Sequence, residues 1–97
     1  MTNEKRAQII DAVNEVYEKT ETLFVQYETN FVLTVPGVFG DRKVIIKISR
    51  NTSKDDLTYK LYTQHSIDPL LTVFGCWPIE FVTDIFIRAM EHFFNDY

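Results

Sequence analysis

The stretch KVIIKISRNTSKDDLTYKLYT, residues 43–63, decides the fold of this chain. Residues 43–50, after their first positions, and residues 57–63 alternate apolar and polar side chains, as strands with one buried face do. The segment between them, residues 51–56, is short and polar and therefore typical of a turn. Because a short connection favours antiparallel pairing, the stretch predicts two neighbouring antiparallel strands.

A third strand is predicted on the N-terminal side of this pair. FVLTV (31–35) is rich in strand-forming residues, and Pro36 and Gly37 follow it as a turn signal. Gly40 and Asp41 close the same loop before the next strand begins. We therefore expect a three-stranded antiparallel meander.

Strict alternation divides the side chains of these strands between two faces. The inner, apolar face is expected to hold Phe31, Leu33, Val35, Val44, Ile46, Ile48, Leu57, Tyr59 and Leu61. The outer, polar face is expected to hold Val32, Thr34, Lys43, Ile45, Lys47, Ser49, Thr58, Lys60 and Tyr62. Nucleic-acid binders with an open sheet typically use lysines to contact phosphates and aromatic rings to stack on bases. The candidates for such contact are Lys43, Lys47, Lys60 and Tyr62.

The N-terminal segment, residues 3–28, has the apolar period of an amphipathic helix. Its stripe recurs at steps of three and four and consists of Ile9, Val13, Val16, Thr20, Leu23 and Tyr27. Asn30 can end this helix, since Asn tolerates the left-handed conformation. LFVQY (23–27) is also β-prone and could instead pair with the next strand across residues 28–30, so both alternatives stay open there. The helix is favoured because no Gly or Pro interrupts its period.

Two helices are predicted after the strands. The Asp-Pro step at residues 68–69 is an N-cap signal for a short helix, which Gly75 ends with a positive φ. Pro78 then opens the last helix, PIEFVTDIFIRAMEHFF. The single cysteine and the single tryptophan, Cys76 and Trp77, lie at the corner between these helices.

These elements give an α+β fold in two layers. Its order is α-β-β-β-α-α, with the helices packed on one face of a three-stranded antiparallel sheet. A chain of 97 residues has the length of one domain, so residues 1–97 are expected to form a single globular domain. The hydrophobic content of 45% and the charged content of 25% are those of a folded protein.

Composition argues against the common catalytic and cofactor-binding classes. One cysteine cannot form an intramolecular disulfide, and together with two histidines outside any ligand spacing it makes no metal set. The three glycines form no phosphate-binding loop. We therefore expect no enzymatic activity, no catalytic residue, no cofactor and no metal.

Charge and hydropathy bear on location and partners. The N-terminus, MTNEKRAQII, lacks the apolar core of a signal peptide, and no apolar run has the length of a membrane span. We therefore expect a cytoplasmic protein that does not associate with a membrane. The formal net charge of −4 disfavours nucleic-acid binding by bulk attraction, so nucleic acid is ranked below protein as a partner.

The last helix has a wider apolar surface than one small sheet needs. Its core stripe is expected to consist of Ile79, Val82, Ile85, Phe86, Ala89, Met90 and Phe93. Ile87 and Phe94 lie outside this stripe on one flank, and Phe81 lies on the other. Trp77, Ile87 and Phe94 therefore form a predicted apolar contact for another protein or for a second copy of the chain.

Acidic side chains follow one ridge of the first helix, which we call the acidic ridge: Glu4, Asp11, Glu15 and Glu18. The ridge predicts a polar contact for a partner that is basic or that itself binds nucleic acid. Because the lysines fall on the outer sheet face, the fold is expected to separate negative from positive charge.

The predicted order of elements resembles two groups of proteins. Helix, three strands, helix is similar to the double-stranded-RNA-binding domain, although Glu80 and Asp84 in PIEFVTD stand where that family opens its last helix with lysines. The size, acidity and absence of catalytic residues resemble small phage-encoded inhibitors, including some anti-CRISPR proteins. This second resemblance implies inhibition by contact.

The leading hypothesis is a small non-enzymatic protein-interaction module, an inhibitor or adaptor that acts by surface contact. The first alternative is a nucleic-acid-binding domain that uses the outer sheet face. The second alternative is a homodimeric structural subunit.

Overall fold

The computed structural model describes residues 3–23, 26–35, 40–50, 57–75 and 78–95, without the side chains of residues 22–23 and 93–95. Its helices and strands are α1 (Asn3–Leu23), β1 (Tyr27–Val35), β2 (Arg42–Arg50), β3 (Leu57–Thr63), β4 (Leu71–Gly75) and α2 (Ile79–Asn95). The fold is α+β, as predicted. Of the described helices, neither has the length and hydropathy needed to cross a bilayer.

The strands form one antiparallel sheet in the order β1-β2-β3-β4. The strand pair predicted within residues 43–63 is present as β2 and β3. Its register places Ile46 opposite Leu61 and Ile48 opposite Tyr59, so the apolar sets of the two strands share one face. Each strand pairs with the one that precedes it in the chain.

The core lies between this apolar face and the two helices. α1 packs against β1 and β2, whereas α2 packs against β4 and α1, and the ring of Phe86 on α2 lies 5.3 Å from the ring of Tyr59 on β3. The side chains predicted for the inner face are buried, apart from the half-buried Phe31: Leu33, Val35, Val44, Ile46, Ile48, Leu57, Tyr59 and Leu61. The predicted helix stripe of α1 is buried at Ile9, Val13, Val16 and Thr20.

The prediction of a short helix after Pro69 is wrong, because residues 71–75 form the fourth strand. Leu71 lies opposite Leu61 and Val73 opposite Tyr59, so β4 extends the apolar inner face. The segment alternates and contains β-prone Thr, Val and Phe, and it satisfies backbone groups along an edge of β3 that would otherwise lack partners. The order of elements is therefore α-β-β-β-β-α, and the sheet has four strands instead of three.

Both alternatives for the end of the first helix are also wrong. α1 ends at Leu23, and β1 begins at Tyr27. Residues 28–30 are part of β1 and pair with β2, so they are neither a helix end nor a hairpin turn, and Asn30 lies opposite Lys47. The length of β2 explains the difference, since a nine-residue neighbour pairs with a longer β1 than the apolar pattern alone indicates.

Gly75 is required for close packing and not for a positive φ. It is the last residue of β4, and its φ lies outside the left-handed region. A Cβ built there would overlap Val82 Cγ1 and lie 2.5 Å from Val82 Cγ2, so α2 approaches the backbone of β4 where no side chain intervenes. Gly40, by contrast, has a φ of 118°, in line with its predicted place in the loop before β2.

Candidate functional site

The face of the sheet opposite the helices is exposed or half-buried, and we call it the open face. Its side chains are those that alternate with the core residues along each strand: Glu28, Asn30, Val32, Thr34, Lys43, Ile45, Lys47, Ser49, Thr58, Lys60, Tyr62, Thr72 and Phe74. The outer face predicted from the sequence is confirmed in this arrangement. The fourth strand adds two side chains to it.

Strand register arranges the open face in rows across the sheet. One row contains Asn30, Lys47, Lys60 and Thr72, one residue from each strand. At a strand spacing of about 4.8 Å this row is about 14 Å long and consists of hydrogen-bond donors throughout. The neighbouring row contains Val32, Ile45 and Tyr62 and is apolar and aromatic.

Two lysines meet in the middle of the first row. Lys47 and Lys60 are directly opposite each other on the central strands β2 and β3. Cβ atoms of opposite residues lie about 5 Å apart, and like charges in such a pair destabilise the sheet. The Nζ of Lys47 lies 5.4 Å from the ring centroid of Tyr62, within range of a cation–π contact that offsets part of this repulsion.

The structure brings the four predicted nucleic-acid candidates onto one face. Lys43 lies four residues from Lys47 along β2, and Tyr62 lies two residues from Lys60 along β3. Among the described strand residues, these three lysines share the open face with a single carboxylate, that of Glu28. Positive charge is therefore concentrated there, in a chain whose formal net charge is −4.

Phe74 is a second aromatic side chain on the open face, and the sequence patterns did not predict it there. It lies on β4 opposite Thr58 and is 72% exposed. The helix prediction for this segment assigned it to no sheet face. The alternation of Leu71 and Val73 with Thr72 and Phe74 is the signal that could have found it.

The acidic ridge is solvent-exposed at all four of its residues, on the side of α1 away from the core. The expected separation of charge is therefore present, with carboxylates on the helical layer and lysines on the open face.

Asp84, one of the two carboxylates that set α2 apart from RNA-binding domains, forms an ion pair with the other helix. Arg6 of α1 donates to its Oδ1 from Nε at 3.0 Å and from Nη2 at 2.8 Å.

The apolar contact predicted on α2 has a different composition in the structure. Ile87 is 8% exposed and belongs to the core, so its assignment to a surface flank is wrong; Ile85, expected in the core, is 42% exposed. Because α2 packs against both β4 and α1, it buries a different arc than one sheet alone would require. Phe81 is 62% exposed, one helical turn before Ile85. Trp77, Cys76 and the side chain of Phe94 lie outside the described residues.

Where α2 crosses β3, the polar contact is a buried hydroxyl pair. Thr83 Oγ1 donates to the carbonyl of Ile79 at 2.8 Å and lies 3.2 Å from the hydroxyl of Tyr59. Since the Thr83 proton is used, Tyr59 is the donor of this pair. Burial raises the pKa of Tyr59 above its ordinary value. A neutral phenol held in this way joins the layers and is not poised to act as a base.

The histidines His65 and His92 are exposed on different elements, the turn after β3 and α2. Within the described residues, no three His, Cys, Asp or Glu side chains form a group that could hold a metal ion. The polar groups that the fold does gather are the donors of the open face.

Compared with protein-family models, curated proteins and solved structures, the chain matches none.

Proposed function

We propose that this protein is a small non-enzymatic binding module that holds single-stranded nucleic acid on its open face. The observation that carries the proposal is the direct pairing of Lys47 with Lys60 beside the ring of Tyr62. The sequence alone favours contact with another protein, but that preference depends partly on Ile87, which is buried.

The lysine pair is a local conflict that a polyanion would relieve. Two ammonium groups on opposite residues repel each other, and neither has a carboxylate opposite it, since the row continues to Asn30 and Thr72. Departures from local consistency of this kind are expected at functional sites. A phosphate seated between Lys47 and Lys60 would accept hydrogen bonds from both and convert the repulsion into two favourable contacts.

The aromatic side chains favour a nucleic acid over an acidic protein. Tyr62 and the exposed Phe74 present ring surface on the same face as the lysines. Bases stack on such rings regardless of sequence, and each stacked base contributes roughly 1–3 kcal/mol. An acidic peptide would satisfy the lysines but would leave both rings without a matching surface.

A single strand fits this face better than a duplex. Bases in a duplex are stacked on each other and are not available to Tyr62 or Phe74, whereas a single strand can splay its bases outward. The negative charge of the rest of the chain confines the attraction to the open face. Contact with three lysines predicts a modest salt dependence, with log K falling by about 2 per tenfold increase in salt.

The test is a fluorescence-anisotropy titration of a labelled mixed-sequence single strand at low and moderate salt, against a duplex of the same sequence. We expect binding of the single strand, weaker binding of the duplex and a salt slope near that value. Lys47→Gln should weaken binding about tenfold, as loss of a charge-assisted phosphate contact does. The matched control is Lys19→Gln, which removes the same charge from an exposed position on α1 and should leave affinity unchanged. Absence of binding at low salt overturns the proposal.

A second candidate function is contact with another protein through the helical layer. The observation that favours it is the exposure of Phe81 and Ile85 on adjacent turns of α2, together with the exposed acidic ridge. A partner that fits would present an apolar groove bordered by basic side chains, as expected for the target of an inhibitor or adaptor. Phe81→Ser combined with Glu15→Lys should abolish such a complex and leave nucleic-acid binding intact. The homodimer is tested by measuring the molar mass by light scattering at micromolar concentration. A monomeric mass would exclude a homodimer at that concentration.

A further inference from the structure

The end of the sheet where β2 begins and β3 ends contains a solvent-open depression of about 490 Å³. Its lining comes from the start of β2 and from the turn after β3: Asp41, Arg42, Lys43, Val44, Thr63, Gln64 and His65. We propose that this depression, which we call the end pocket, binds the terminal phosphate monoester of a nucleic-acid strand lying on the open face. The inference rests on the proposed function and deepens it.

The charges of the end pocket suit a phosphate monoester. Arg42 and Lys43 carry positive charge against the single carboxylate of the lining, Asp41, and His65 lies in the same lining. Guanidinium and ammonium groups are the usual phosphate ligands in proteins, the first as a fork and the second as a point charge. A terminal monoester carries about −1.5 to −2 charges at neutral pH, more than the single charge of an internal phosphodiester. The lining therefore favours the end of a strand over its interior.

The turn that carries two of the lining residues is held in place. Thr63 N donates to Ser66 Oγ at 2.9 Å, and Ser66 N donates back to the carbonyl of Thr63 at 3.4 Å. Leu70 N then donates to the carbonyl of Leu61 at 2.8 Å as the chain returns toward β4. Gln64 and His65 lie inside this closed turn, so their backbone positions are fixed before any ligand arrives.

The end pocket continues the lysine track of the open face. Lys43 belongs to both, since it lies on the open face of β2 and also lines the pocket. From Lys47 to Lys43 the strand advances four residues, about 13 Å. A strand whose internal phosphates contact Lys47 and Lys60 can thus bring its terminal phosphate to the pocket. β2 begins at Arg42, one residue from Lys43, so the lysine track reaches its end at the pocket.

The experiment compares three labelled strands of one sequence: one with hydroxyl ends, one with a 5′-phosphate and one with a 3′-phosphate. We expect one phosphorylated strand, but not both, to bind about five- to tenfold more tightly than the hydroxyl strand, since a bound strand runs in one direction along β2. Arg42→Gln and His65→Gln should remove this preference while leaving the affinity for the hydroxyl strand within about twofold. Lys47→Gln should weaken all three strands by the same factor.

The outcomes separate this inference from the proposed function. If no strand binds, the proposed function fails. If all three bind equally, the open face binds nucleic acid and the end pocket assignment is overturned. His65→Gln lies in an exposed turn and leaves the core untouched, so a lost preference in that variant cannot be ascribed to misfolding. Inorganic phosphate serves as the competitor: it should reduce the preference without displacing the hydroxyl strand, and displacement of all three strands alike would contradict a separate end pocket.

Discussion

The hydroxyl of Tyr59 on β3 donates a hydrogen bond across the core to Thr83 Oγ1 on α2, with 3.2 Å between the two oxygen atoms. The hydroxyl of Thr83 in turn donates a hydrogen bond to the carbonyl of Ile79, one turn earlier in the same helix. Both side chains are buried, so this chain of bonds satisfies polar atoms that would otherwise be costly inside the protein. It also fixes where α2 sits over the third strand.

Tyr59→Phe should lower the free energy of unfolding by about 1 kcal/mol, because the ring contact with Phe86 is kept and one buried hydrogen bond is lost. Urea denaturation measures the change. Tyr62→Phe is the control, since the Tyr62 hydroxyl lies on the open face and its removal should leave the midpoint unchanged. Equal effects of the two substitutions would contradict a special role for the buried hydroxyl.

Stability should fall at alkaline pH through Tyr59. Burial raises the pKa of its phenol in the folded protein above the ordinary value of 10.0, so the folded state keeps a proton that the unfolded state releases. This contribution is fully present below about pH 10 and is lost as the pH rises through the folded pKa. Denaturation midpoints between pH 8 and 11 should fall more steeply for the wild type than for Tyr59→Phe. Parallel curves would show that other groups cause the decline.

Gly75→Ala should destabilise the fold by roughly 1–3 kcal/mol, because its Cβ would collide with the side chain of Val82. Val82→Ala removes the colliding atoms at the cost of a small cavity. In a double-mutant cycle the two changes should therefore couple, with the double variant more stable than the sum of the single effects predicts. Additive effects would mean that α2 and β4 are not packed as closely as described.

Lys60→Thr should raise stability while lowering nucleic-acid affinity. Removing one of two opposite ammonium groups relieves a repulsion of about 0.2–1 kcal/mol, and Thr is a good strand residue. Lys43→Thr is the matched control because Lys43 lies opposite Thr34, not opposite another lysine, so it should show only the part of the gain that comes from the strand preference of Thr. Thermal denaturation and strand binding are measured on both variants. If the Lys60→Thr protein were less stable than the wild type, repulsion between Lys47 and Lys60 would not be a destabilising feature of the sheet.

Phe74→Ala should weaken single-strand binding by roughly 1–3 kcal/mol, the value of one stacked base, with little change in stability because the ring is mostly exposed. Phe81→Ala removes a comparably exposed ring from α2 and should leave strand affinity unchanged. Anisotropy titrations of the two variants decide the point. An equal loss in both would indicate a nonspecific apolar contribution.

Sequence patterns predicted the sheet faces and the central pair of strands because alternation is a local property. Lys43, Lys47, Lys60 and Tyr62 could be placed together from that alternation alone. β4 was missed because Asp68 and Pro69 are strong helix-start signals, whereas the reason for a strand, an unpaired edge of β3, lies elsewhere in the chain. Local patterns do not report such tertiary demands.

The same reason explains the errors on α2 and around β1. Helical periodicity separates an apolar side from a polar side, but it does not say which part of a wide apolar arc meets a neighbour. With the additional contact between α2 and α1, Ile87 is buried and Ile85 is exposed, the reverse of what the period predicted. The nine-residue length of β2 likewise decided where β1 begins.

Strand order in this sheet equals chain order, and that topology bears on how the molecule reaches its native state. Each hairpin can close over a short loop, at small entropic cost, before the next one forms. The ion pair between Arg6 and Asp84 is different, because it joins positions 78 residues apart. Contact between the two helices therefore closes a loop of nearly the whole chain, which has the largest entropic cost of any contact among the described residues. That cost is smaller when the sheet has already formed and shortened the effective loop.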